Sequence, residues 1–145
     1  MNKQRYLELL FENGLSYGPK GGSYLTENYE DIEIPEEIKS LLKSSIESNS
    51  DFEIPEHHYP HLIDGLNQNI ETLLAHPEFD PFKVELRQKF PEQYSSYPFE
   101  FNGTTYYLYG KTFAIDSEIE RIANLIDLIK EHKKEGVSMK FFYKA

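Results

Sequence analysis

The chain has no cysteine among its 145 residues. That excludes a disulfide framework, a thiolate nucleophile and any zinc site built on thiolates, and it agrees with the reducing cytoplasm as its location. Long apolar runs are missing too. The N-terminal stretch Tyr6-Leu-Glu-Leu-Leu-Phe11 is broken by Glu8 and followed by Glu12, so it offers neither the uncharged core of a secretory signal nor the length of a membrane span. Basic residues are scarce in the first half. Residues 1–72 carry 5 Lys/Arg against 14 Asp/Glu, while residues 73–145 carry 10 against 11, within a formal net charge of −10. An acidic half repels phosphates, which argues against nucleic acid and against an anionic membrane as partners. Catalytic signatures are also absent: no Gly-x-Ser-x-Gly elbow is present, and no feature singles out one carboxylate pair from 25 acids.

Bulky core material is plentiful, with 10 Phe and 11 Tyr. A chain of this length buries roughly two-thirds of its unfolded surface, so a single globular domain over 1–145 folds without metals or cross-links. The region Pro98–Tyr143 organises the expected fold. Asn102-Gly103 sits between two strand-favouring runs and predicts a hairpin over 98–109, because both turn positions tolerate positive φ. A further strand is expected near 111–115. Ser117-x-x-Glu120 has the form of a capping box, and Ile119, Ile122, Ala123, Ile126 and Ile129 follow helical spacing until Gly136. A last aromatic strand is expected over 137–143. Together these predict an α+β domain with one small antiparallel sheet and about five helices.

The other helices are read from their periodicity and stop signals. Residues 3–13 read as a helix with Tyr6, Leu7, Leu10 and Phe11 inward, ended by Asn13-Gly14. Residues 35–48 place Ile38, Leu41, Leu42 and Ile46 on one side, and 61–75 do the same with Leu62, Leu66, Ile70, Leu73 and Leu74. Asp80-Pro81 opens another helix that runs to about 90. Between the first and second helices, Lys20-Gly21-Gly22 lies in a loop joining two short Tyr-bearing segments. The order of its residues is not that of a phosphate-binding loop, and the segment after it is not expected to be helical. Residues 29–34 alternate as a short strand does.

One six-residue phrase occurs twice: Asp31-Ile-Glu-Ile-Pro-Glu36 returns as Asp51-Phe-Glu-Ile-Pro-Glu56. The repeat predicts the same local task twice, an extended entry leading through proline into a helix or turn. The overlapping phrase Ile34-Pro-Glu-Glu-Ile-Lys-Ser-Leu-Leu42 resembles the Leu-Pro-x-x-Tyr-x-x-Phe-Leu helix entry of a superfamily of immunity proteins. That likeness spans nine residues, and the Asn-Gly-Gly that follows the helix in that superfamily is missing here, so membership does not follow.

Two clusters carry chemistry. The first is acidic and aromatic: Tyr24, Glu27, Tyr29, Glu30, Asp31 and Glu33. Tyrosines supply contact area at low entropic cost, and carboxylates steer and pair with Lys/Arg. This pattern points to a non-enzymatic protein-binding domain, an inhibitor of the immunity or antitoxin kind that neutralises a basic partner such as a toxin or nuclease, with no cofactor. The second is His57-His58-Tyr59-Pro60-His61, with Asp64 three residues on. His58, His61 and Asp64 are the metal-ligand candidates, and a small metal- or ligand-binding enzyme using His57, His58 and His61 is the alternative reading. A phage or mobile-element accessory protein of unknown activity is a third. The aromatic strands do not favour nucleotide stacking, because Phe99–Tyr109 contains no Lys or Arg.

Overall fold

A computed structural model of the chain describes residues 5–9, 16–17, 22–79, 89, 97–109 and 113–144. In chain order the elements are β1 (Arg5–Leu9), β2 (Ser16–Tyr17), α1 (Gly22–Asn28), α2 (Glu36–Glu47), β3 (Phe52–Ile54) and α3 (Tyr59–Leu74). They are followed by β4 (Tyr97–Phe101), β5 (Thr104–Leu108), α4 (Ala114–Glu135) and β6 (Met139–Lys144). Short 3-10 turns occupy Tyr29–Asp31 and Glu56–His58. The α+β class is therefore observed, with four α-helices among the described residues.

The strands form two separate antiparallel sheets rather than the expected single one. Among the described residues the hairpin β4–β5 pairs with no other strand; it turns at Asn102 (φ 50°) and Gly103 (φ 81°). The larger sheet has the order β2-β1-β6-β3, so the last strand lies in its middle. Arg5–Leu9 is one of its strands, paired with β6 from Arg5↔Lys144 to Leu9↔Lys140, and is not part of a helix. Five residues are too few to separate a helical period from a two-residue period. The aromatic run at the far end of the chain supplies the pairing that decides between them. Residues 10–13 of the expected helix lie outside the described residues.

Three other expectations change. The segment after Gly21 is helical, as α1. Residues 29–34 form a 3-10 turn and an extended stretch, with no strand pairing among the described residues. The strand expected near 111–115 gives way to the start of α4, which has Phe113 as its N-cap residue and Ala114 and Ile115 in its first turn. The Ser117 amide already donates to the Phe113 carbonyl at 3.0 Å, so Ser117 lies inside the helix and does not cap it. The helix expected over 80–90 lies outside the described residues, Lys89 apart.

The core is built from the stripes that the periodicity marks. Ile38 and Leu42 of α2, Leu62, Leu66 and Ile70 of α3, and Ile119, Ile122, Leu125 and Ile129 of α4 are buried together with Met139 and Phe141 of β6. Phe52 and Phe141 are direct partners across β3 and β6, and their rings stack with centroids 4.6 Å apart. Gly136, in the left-handed region at φ 68°, ends α4 and turns the chain into β6. There the Tyr59 hydroxyl donates to the Val137 carbonyl at 2.6 Å, which ties the start of α3 to that turn.

The repeated phrase does the same job in both places. Ile32 and Ile34 are buried around exposed Glu33, and Phe52 and Ile54 are buried around exposed Glu53. Pro35 (φ −56°, ψ 143°) and Pro55 (φ −63°, ψ 149°) then end the extended run and precede α2 and the 3-10 turn that leads into α3.

Candidate functional site

Alternation shapes the acidic stretch. Ile32, Ile34 and Ile38 are anchored in the core at 1 %, 8 % and 0 % exposure, which forces Asp31, Glu33, Glu36 and Glu37 out into solvent. The helix partly chooses these residues as well, since Glu36 and Glu37 occupy the first turn of α2, where carboxylates oppose the positive end of the helix. Rigidity comes from α3. A β-carbon added at Gly65 would lie 2.5 Å from the Glu33 carbonyl oxygen, and 3.0 Å from both Ile32 Cγ2 and Ile34 Cγ2. The carboxylates thus ride on a backbone clamped against a helix.

The two tyrosines assigned to this surface are placed elsewhere. Tyr24 is 2 % exposed and Tyr29 is 8 % exposed, so both belong to the core and offer a partner almost no area. Tyr24 joins three helices: Asn69 Nδ2 of α3 donates to its hydroxyl at 3.2 Å, and the Arg121 guanidinium of α4 lies 5.5 Å from its ring centroid. Burial raises its phenol above the ordinary range, and the Asn69 hydrogen bond opposes that rise. Burial also raises Tyr29, with Glu30 and Glu47 adding to the shift. Both tyrosines fall within an apolar set of Tyr24, Leu25, Tyr29 and Ile32, and that spacing was the available signal for burial. Glu27 is drawn away from the ridge, with Oε2 3.3 Å from Arg121 Nη2.

Cations that the sequence reading did not weigh border the ridge. Lys39 Nζ donates to the Glu30 carbonyl at 3.4 Å. Lys39 and Lys43 line a surface depression of about 350 Å³ together with Tyr29, Glu30, Glu36 and Ser40. The side of the ridge that holds Glu30 is therefore of mixed charge, and Asp31 and Glu33 form its acidic crest.

The histidine cluster adjoins this ridge. His58 is buried at 6 % exposure, whereas His57, His61 and Asp64 are exposed. The His57 and His58 rings are 4.0 Å apart, and His58 Nε2 lies 3.9 Å from Glu37 Oε1. Burial is the main cause that lowers the His58 pKa. His57 and His61 act in the same direction, and Glu37 acts against them. Among the described residues no three His, Cys, Asp or Glu side chains are grouped to hold a metal ion, so His58, His61 and Asp64 do not form a ligand set. What the structure does bring together is the two clusters that the sequence kept apart, through Glu37 against His58 and Glu33 against Gly65.

A cavity of about 390 Å³ opens beside the start of α4, lined by Glu78, Phe113, Ala114, Ile115 and Asp116. Asp116 is 1 % exposed, and its Oδ2 accepts the Tyr109 amide at 2.8 Å. Nearby, Tyr97 is 40 % exposed, yet its phenol is pushed up to about 12, first by the loss of solvent around it and then by its hydrogen bond with Glu120 and the charges of Glu120 and Asp116. No sequence motif marked Asp116. It precedes the apolar stripe of α4, and its role depends on the backbone of Tyr109 folding back over the helix start.

No helix among the described residues is long and apolar enough to cross a membrane. Compared with known proteins, the chain matches no family model, no curated protein and no solved structure.

Proposed function

We propose that the chain is a non-enzymatic protein-binding domain that engages a basic partner through the ridge Asp31, Glu33, Glu36 and Glu37, in the manner of an immunity protein or antitoxin covering a toxin or nuclease. One observation carries the reading: alternate burial of Ile32, Ile34 and Ile38 holds these carboxylates outward on a backbone pressed against Gly65. Outward carboxylates attract Lys/Arg at long range, and holding their backbone fixed lowers the ordering cost of pairing. The contact role first given to Tyr24 and Tyr29 passes to the carboxylates alone, since the rings are in the core. Glu27 and Glu30 serve at the edge of the surface, next to Arg121 and Lys39.

The test uses a defined basic probe and a natural one. An octalysine peptide titrated into the protein is expected to bind at low salt and to lose about tenfold in affinity as ionic strength rises toward ~0.3 M, where the screening length falls well below 10 Å. The product of the adjacent reading frame, if basic, is expected to copurify and to be neutralised on co-expression. Salt-independent binding of the peptide, or none at low salt, contradicts the reading.

A further inference from the structure

The aromatic run Phe141-Phe142-Tyr143 lies in β6, and the two flanks of that strand are not equally covered. β1 pairs with β6 from Lys140 to Lys144, whereas β3 pairs only from Met139 to Phe141. Beyond Phe141, the flank of β6 on the β3 side has no strand partner among the described residues. Continuing the register would set Ser50 opposite Tyr143. Ser50 is held back instead: after Asn49, at φ 53°, its amide donates to the Ser45 carbonyl at 3.0 Å and closes the end of α2. A side chain supplies the acceptor that the ladder would have given, since Asp51 Oδ1 takes the Tyr143 amide at 2.8 Å.

An open strand edge invites pairing with another chain, and an aromatic, strand-favouring run strengthens the invitation. A carboxylate answers it in two ways. It occupies the amide with a charge-assisted hydrogen bond, and it presents negative charge, with no proton to donate, to any incoming carbonyl. We propose that Asp51 caps the edge of the larger sheet and keeps a second copy of this chain from adding to β6. A second copy is the occupant that fits, because a twofold axis beside Tyr143 would set the same aromatic run antiparallel to itself, amide to carbonyl. The cap acts whether or not the ridge binds a basic partner.

Sedimentation at low and high protein concentration, comparing the wild type with Asp51→Ala, Asp51→Asn and Asp64→Ala, tests it. Asp51→Ala is expected to self-associate about tenfold more tightly than the wild type, the factor that one net hydrogen bond supplies. Asp51→Asn keeps an oxygen acceptor and should stay close to the wild type. Asp64 is an exposed carboxylate on α3, outside the sheet, so Asp64→Ala changes the net charge equally and should also match the wild type. In Asp51→Ala the Tyr143 amide should lose exchange protection at low concentration and regain it at high concentration. An Asp51→Ala variant that associates no more than the wild type overturns the cap. So does an Asp51→Asn or Asp64→Ala variant that associates as tightly as Asp51→Ala. If Asp51→Ala does not fold, a wild-type Tyr143 amide that exchanges as fast as that of an unstructured chain overturns the cap equally.

Discussion

Gly65 and Glu33 meet backbone to backbone: a single β-carbon on the glycine would come within 2.5 Å of the Glu33 carbonyl oxygen. Ile32 and Ile34 flank the contact, so the acidic ridge lies against α3 at the one helical position that has no side chain. Gly65→Ala therefore opposes the usual rule for helices. Alanine gains up to about 1 kcal/mol of helix propensity, against an overpacking cost of about 1–3 kcal/mol, and the atom it would meet is a backbone oxygen that cannot swing aside. We expect a net loss of stability in urea unfolding. A more stable variant would show that the two backbones are not in contact.

Gly103 makes the opposite case. A β-carbon there meets nothing within 4 Å, but φ is +81°. Gly103→Ala should cost about 1–2 kcal/mol from backbone conformation alone. Its effect should be confined to the β4–β5 hairpin, visible as lost amide protection at Phe99–Phe101 with the larger sheet unchanged.

The Tyr59 hydroxyl donates to the Val137 carbonyl at 2.6 Å, and the Tyr59 side chain is fully buried. Tyr59→Phe keeps the ring and strands the carbonyl. A loss of about 1–3 kcal/mol is expected in denaturant unfolding. An unchanged midpoint would mean that the Val137 carbonyl finds another donor.

Local patterns were legible in the sequence. The helices α2, α3 and α4 could be read because each keeps an apolar stripe over at least 12 residues, bounded by proline or glycine. The hairpin could be read from Asn102-Gly103, whose φ values of 50° and 81° only a few residue types adopt. The repeated Ile-Pro-Glu phrase was read as an entry used twice, and its prolines share nearly the same φ and ψ, although only the second copy is a paired strand. Pairings over long separation were not legible. Nothing near Arg5–Leu9 encodes a partner at Lys140–Lys144, and nothing in the hairpin indicates that it stays apart from β6. Of the residues assigned to one surface, Glu30, Asp31 and Glu33 are exposed whereas Tyr24 and Tyr29 lie in the core, because tyrosine suits both interface and core. The approach of Glu37 to His58 depends on how two helices pack, which no local pattern records.

Tyr97 tests the electrostatics around α4. Its phenol is pushed up to about 12 by the loss of solvent around it and by Glu120 and Asp116, against an ordinary value of 10. Comparing ultraviolet titrations of the wild type and Tyr97→Phe should isolate one phenol that ionises around pH 12. Because the folded-state value is raised, the stabilising contribution is complete below pH 10 and is lost as pH rises toward 12. A phenol titrating near 10 would show that neither the loss of solvent around it nor Glu120 and Asp116 act on it.

The ridge is the central claim, and charge reversal measures it most directly. Asp31→Lys and Glu33→Lys combined should leave the melting temperature nearly unchanged, because both are exposed positions outside α2, where substitutions usually shift stability by about 0.5 kcal/mol or less. Binding of octalysine at low salt is then measured for the folded variant and the wild type by titration calorimetry. We predict at least about a tenfold loss of affinity, together with a flattened salt dependence. Equal affinity and an equal salt response in a variant that melts like the wild type would contradict the ridge as the binding surface.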